Sequence, residues 1–121
     1  MENKEQGQIK ISEDVISTIA NLAASEIEGV SGMTGSIAGN LSEILGKKNL
    51  SKGVKVQLEE ENVLIDLYIM IEYGYVIPDV AWKIQENVKN AVENMTGMAV
   101  GEVNVHIQGV NFKKEKEEES N

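Results

Sequence analysis

The chain has a single histidine, His106, and no cysteine or arginine, and this limits the chemistry available to it. A hydrolytic triad needs a histidine beside a serine and an acid. The nearest approach to a nucleophile elbow is "GSIAG" at 35–39, which sets its serine one place early. One histidine with no thiolate is a poor start for zinc. Asp66, Glu72 and His106 remain as groups that could do acid–base work on a small ligand. Surface charge explains them better, because nothing in the pattern builds the cleft that would raise a carboxyl pKa. Phosphate loops fail too. "GKKN" at 46–49 lacks the Walker glycine spacing, and "GVSGMTG" at 29–35 follows a helical stretch where a dinucleotide fingerprint must follow a strand. The residues imply no catalytic set, no cofactor and no metal.

Charge narrows the partners. The net charge is −9, and residues 1–6 and 113–121 carry −1 each, which leaves −7 on the part between them. Duplex and RNA readers use a positive stripe in which arginine grips phosphate and guanine. An acidic chain without arginine is expected not to bind nucleic acid. One stretch resists the trend: Lys47, Lys48, Lys52 and Lys55 follow one another with no acid among them, just after a short apolar stripe that includes Ile37 and Leu41. Such a segment could lie on an anionic membrane or dock on an acidic partner. The preferred reading is a helix end complemented by lysines and folded onto the domain.

The 121 residues are enough for one domain with a two-layer core. The start, MENKEQGQIK, has no apolar run, and no stretch approaches the ~20 apolar residues that cross a bilayer. The expectation is a cytoplasmic protein that does not insert directly into a membrane. Residues 1–6 and the charged run 113–121 are expected to be disordered around a single domain at 7–112.

Within that domain Gln8 to Ile11 reads as a short strand. Ser12 can cap a helix with Glu13 and Asp14 in its first turn; Val15, Ile16, Ile19, Ala20, Ala23 and Ile27 recur at helical spacing, and Gly29 stops it. Residues 31–53 are rich in Gly, Ser and Asn and read as a long connection. A hairpin follows: Val54, Val56 and Leu58 alternate with polar residues, Glu60 to Asn62 turn, and Val63, Ile65, Leu67, Ile69, Ile71 and Tyr73 share one face. Gly74 releases the strand and Pro78 fits the first turn of a second helix. Its buried stripe is Val80, Ala81, Ile84, Val88, Ala91, Val92 and Met95, and Gly97 ends it. A last strand turns Val103, Val105 and Ile107 inward. The fold class is therefore α+β: a two-layer sandwich in β-α-β-β-α-β order, with a mixed or antiparallel sheet and two helices on one face.

Two helices on one face leave the other face of the sheet open. It would carry Asp66, Tyr68, Met70, Glu72 and His106 among mostly polar neighbours. A single aromatic, Tyr68, among carboxylates does not make a base-stacking platform, yet Leu64, Tyr68 and Met70 are more apolar than a solvated face requires. Trp82 lies ~200° around the second helix from Val80, so it should sit at the layer edge or outside, as a contact for a partner or lying along its own helix.

The run Tyr73-Gly74, Ile77-Pro78, Val80-Ala81, Gln85, Val88-Lys89, Val92-Glu93, Met95-Thr96-Gly97 and Val103-Asn104-Val105 resembles the bacterial alkaline shock protein family. "GQIKISEDVISTIANLAASEIEGVSGM" extends the likeness, which covers roughly residues 7–110, with 34–52 as the family's variable stretch. The resemblance implies a small protein tied to general stress and cell-envelope homeostasis. Some members are held at the membrane by a separate anchoring protein, and others are linked to lipid metabolism, including control of fatty-acid synthesis. It carries no catalytic residues to transfer.

Three functions follow in order of preference. The first is a non-enzymatic protein-interaction module, able to self-associate, with Trp82, Tyr68 and Met70 as contacts and Ile37, Leu41, Lys47 and Lys48 as a secondary one. Its partners would be proteins, a membrane-anchored one among them, which would make the chain peripheral to the membrane. The second is a small-ligand binder or enzyme using the open face around Asp66, Glu72 and His106. The third, a nucleic-acid binder, is disfavoured by charge.

Overall fold

The computed structural model describes residues 6–33 and 52–112. Their elements run α1 (Glu13–Ser25), β1 (Val30–Met33), β2 (Val54–Leu58), β3 (Val63–Glu72), α2 (Ile77–Thr96) and β4 (Val100–Asn111). Ile37, Leu41, Lys47 and Lys48, and the segments 1–5 and 113–121, lie outside the described residues.

The α+β class holds, with four strands and two helices among the described residues. The sheet is mixed: β1 and β2 pair with β3 antiparallel, and β4 pairs with it in parallel. β4 follows β3 along its whole length, from Val63 to Glu72, so it occupies one entire edge of that strand. β2 lies opposite Val63–Leu67 and β1 opposite Ile69–Ile71, so these two share the other edge end to end. The chain leaves that edge at Met33, facing Ile69, and regains it at Gly53, whose carbonyl accepts the Tyr68 N–H at 2.8 Å. β1 and β2 thus behave as one strand interrupted by the connecting segment.

Period-two patterning makes β3 the core. Val63, Ile65, Leu67, Ile69 and Ile71 are all buried, and the residues between them are half-buried on the opposite face. Burying a side chain of this size contributes about 1.5–3 kcal/mol, so this strand dominates the apolar term. The helices cover it with Ile16, Ile19, Ala20, Ala23 and Ala24 from α1 and Val80, Ile84, Val88 and Val92 from α2. Ser12 caps α1 by accepting the Val15 N–H, Pro78 stands in the first turn of α2, and Gly97 ends α2 in the left-handed conformation at φ 77°.

The expected leading strand at Gln8–Ile11 is not part of the sheet. Only Ile11 packs on the core, while Ile9 is exposed. A strand forms instead at Val30–Met33, paired with β3, in a stretch whose glycine and serine read as connection. Its ladder is irregular, with a register shift between Val30 and Gly32, and this conceals its alternation. Three residues expected to point inward are exposed: Val15, Met95 and Tyr73. Each stands at an end of its element, where the apolar stripe runs past the opposing layer.

Gly29 joins α1 to β1 at φ 103°, and a Cβ there would meet the Tyr75 ring at 2.9 Å and Val80 Cγ2 at 3.0 Å. A side chain is excluded both by the backbone conformation and by the closeness of α2. Tyr75 in turn donates its hydroxyl to Glu28 at 3.1 Å, tying the α1–β1 corner to the approach to α2.

Candidate functional site

Alternation along β3 places Leu64, Asp66, Tyr68, Met70 and Glu72 on the face away from the helices. β4 sets Asn104 beside Asp66 and His106 beside Tyr68, and β2 sets Lys55 beside Asp66. The side chains follow this register. The Tyr68 and His106 rings stack with centroids 4.5 Å apart and planes within 11°. His106 Nε2 lies 3.0 Å from Asp66 Oδ1. Lys55 Nζ stands 5.8 Å from the centre of the Tyr68 ring, reaching it from the strand opposite to the one that carries His106. Both sides of the phenol ring are therefore flanked, by an imidazole and an ammonium. That leaves the ring poorly placed to stack a nucleobase.

Of the acid–base group expected from sequence, Asp66 and His106 meet and Glu72 does not join them. Glu72 lies six residues along the same strand from Asp66, about 20 Å at the rise of a β-strand. Asp66 and His106 are both part-exposed. Among the described residues no group of three or more His, Asp or Glu could hold a metal ion.

Met70 lies flat at the other end of the face. A Cβ on Gly109, its neighbour in β4, would stand 3.0 Å from the Met70 methyl and 3.3 Å from its sulfur. Glycine at 109 is what lets the thioether rest against the β4 backbone. Beyond it, Asn111 Nδ2 donates to Ser31 Oγ at 2.7 Å, a bond between the two strands that flank β3.

Trp82 is separate from these residues. It is 57% exposed on α2, in the layer on the other side of the sheet, so the three favoured contact residues form two surfaces. Two polar side chains of α2 have structural partners that sequence reasoning overlooked. Gln85 Nε2 donates to the Val103 carbonyl at 3.0 Å, and Asn87 Nδ2 donates to the Ala23 carbonyl at 2.7 Å and to Glu26 Oε1 at 3.1 Å. In the sequence both residues look like ordinary members of a solvated helix face.

A family model for the alkaline shock protein 23 family, described as having a cell envelope-related function, matches residues 1–112. An uncharacterized Bacillus subtilis protein, YqhY, is 40% identical over 117 residues, covering 97% of this chain and 87% of its own length. A Streptococcus pyogenes homolog of the stress response regulator gls24 is 30% identical over 115 residues, with 94% of this chain and 64% of that protein covered. Among solved structures, a variant of MamM-CTD superposes with a TM-score of 0.51 at 14% identity, over 81% of this chain and 98% of that one. At that identity the likeness extends to the fold alone.

Proposed function

Because the chain belongs to the alkaline shock protein family, of cell envelope-related function, we propose that it is a non-enzymatic interaction module acting in envelope stress or lipid homeostasis. The observation that carries this reading is the exposed Trp82 together with a sheet face left open by the helices. A large indole left more than half exposed is a common anchor when a partner covers it. Tyr68 and Met70 offer a second surface, held in shape by His106, Lys55 and Gly109. Ile37, Leu41, Lys47 and Lys48, which lie outside the described residues, would supply a secondary contact.

The likeness to a stress response regulator supports a regulatory role over a catalytic one. Among the described residues no helix is long and apolar enough to cross a membrane, and the proposal places contact with the envelope through a membrane-anchored protein. Affinity capture from the native cell extract, with and without membranes, tests the reading. Trp82→Ala or a Tyr68→Ala/Met70→Ala pair should lose specific partners while the fold is unchanged. Identical partner sets for all three proteins would refute it.

A second reading has one observation in its favour, the 3.0 Å approach of His106 to Asp66 beside a stacked aromatic. It makes the open face a small-ligand site. A metabolite that raises the melting temperature of the native chain but not of His106→Ala would move the proposal there.

A further inference from the structure

The two edges of the sheet are built differently. On one, β1 and β2 are four and five residues long and interrupted between Met33 and Gly53. Short, broken strands are a usual protection against unwanted pairing. The other edge is β4, a single strand of twelve residues with register shifts near its two ends. Among the described residues, β3 is the only strand that pairs with it.

The ladder shows which β4 groups face outward. Val63 of β3 and the adjoining Tyr73 donate towards β4, at Ala99 and Asn111, while Tyr68 and Glu72 donate to the opposite side, at Gly53 and Gly29. Odd-numbered residues of β3 therefore bond to β4. In a parallel ladder, the residues facing them turn their own N–H and C=O away from the shared edge. These are Val103, Val105 and Ile107, opposite Ile65, Leu67 and Ile69. The Val103 carbonyl confirms the direction, since Gln85 reaches it from α2.

We propose that a second copy of this chain docks on this outer edge, pairing β4 with β4 antiparallel about a two-fold axis at Val105. The proposal deepens the reading of the chain as an interaction module by naming one partner and its site. Register shifts at Gly101 and Gln108 bound a regular run from Glu102 to Ile107, and bulges of this kind end pairing. Centring the outward-facing residues within that run puts Val105 against itself and Val103 against Ile107 of the other copy, whose N–H would share the two lone pairs of the Val103 carbonyl with Gln85. Asn104 then lies opposite His106 on the open face. Residues 103–112 contain no Lys, Asp or Glu in a chain of net charge −9. Two copies can therefore approach along this edge with less repulsion than their overall charge implies. Trp82 is one turn of α2 before Gln85, on the same flank of the helix, so the indoles of both copies would stand beside the joined strands.

Sedimentation equilibrium of the full chain should show a reversible monomer–dimer equilibrium. Val105→Pro removes an outward N–H, a position where an edge strand tolerates proline. It should give a monomer with an unchanged circular dichroism spectrum. If that variant does not fold, Val105→Cys carries the test. Residues that exchange hydrogen bonds across an antiparallel pair are about 5.5 Å apart at Cα, within disulfide range, and the chain has no other cysteine. Mild oxidation should link Val105→Cys into a dimer and leave Lys55→Cys, on the other edge, unlinked. A wild-type monomer at every concentration would overturn the proposal. So would a folded Val105→Pro dimer, or equal cross-linking of both cysteine variants. A dimer that captures no cellular partner would leave this pairing standing and refute the proposed function.

Discussion

Tyr68 and His106 lie side by side on neighbouring parallel strands with their rings 4.5 Å apart and nearly parallel. Stacked aromatic pairs contribute about 0.5–1.5 kcal/mol beyond the area they bury, and this pair is partly solvated, which favours the lower half of that range. A double-mutant cycle of Tyr68→Ala and His106→Ala, read by urea unfolding, should return a coupling of about 0.5–1 kcal/mol. Additive effects would mean that the two rings are held independently by their strands.

Gly29 and Gly74 have nearly the same backbone, φ 103° and 104°, in different surroundings. A Cβ on Gly74 meets nothing within 4 Å, whereas on Gly29 it collides with Tyr75 and Val80. Gly74→Ala should therefore cost only the conformational term, about 1–2 kcal/mol. Gly29→Ala adds an overpacking cost of about 1–3 kcal/mol because α2 must move. Chemical denaturation of the two variants under one set of conditions separates the terms. Equal losses would show that the corner between α1 and α2 can yield.

Substitution should also separate the interior from the outward indole. Ile65 is fully buried at the centre of β3, and Ile65→Ala should cost about 2–5 kcal/mol. Trp82→Ala, at a surface site, should change stability by no more than about 0.5 kcal/mol. A large loss of stability at Trp82 would mean that the indole packs on its own molecule and would remove it from the contact surface.

These contrasts also explain what could be read from the sequence. β3 and α2 are long and regular, so their period-two and period-3.6 patterns reveal both the elements and most of the buried residues. The outward position of Trp82 follows from helical geometry alone. β1 could not be found this way, because four residues containing a glycine and a register shift carry no alternation to detect. Ile9 and Ile11 imitate a strand that has no partner in the sheet. The pairing of Asp66 with His106, and the distance that separates both from Glu72, depend on the parallel register of β3 and β4. That register joins residues 40 apart in the chain and leaves no local signal. The polar reach of Gln85 and Asn87 is hidden for the same reason, since a partner on another element leaves no spacing to read.

Asn87 joins the two helices, and its role can be tested directly. α1 ends at Ser25, so the Ala23 carbonyl is one of the last four, which lack partners inside the helix. Asn87 Nδ2 supplies a donor to it from α2 at 2.7 Å and also touches Glu26 at 3.1 Å. It thereby caps one helix from the other. Asn87→Ala withdraws the donor from a part-buried carbonyl and should cost about 1–2 kcal/mol. Asn87→Asp keeps the shape but places a carboxylate beside Glu26 and the negative end of α1, where the helix dipole disfavours it. It should be the less stable of the two variants at neutral pH, and Glu26→Gln should restore part of the difference. Thermal unfolding of the three proteins and the native chain measures the order. If Asn87→Asp is as stable as the native chain, the amide is solvated and α1 ends without help from α2.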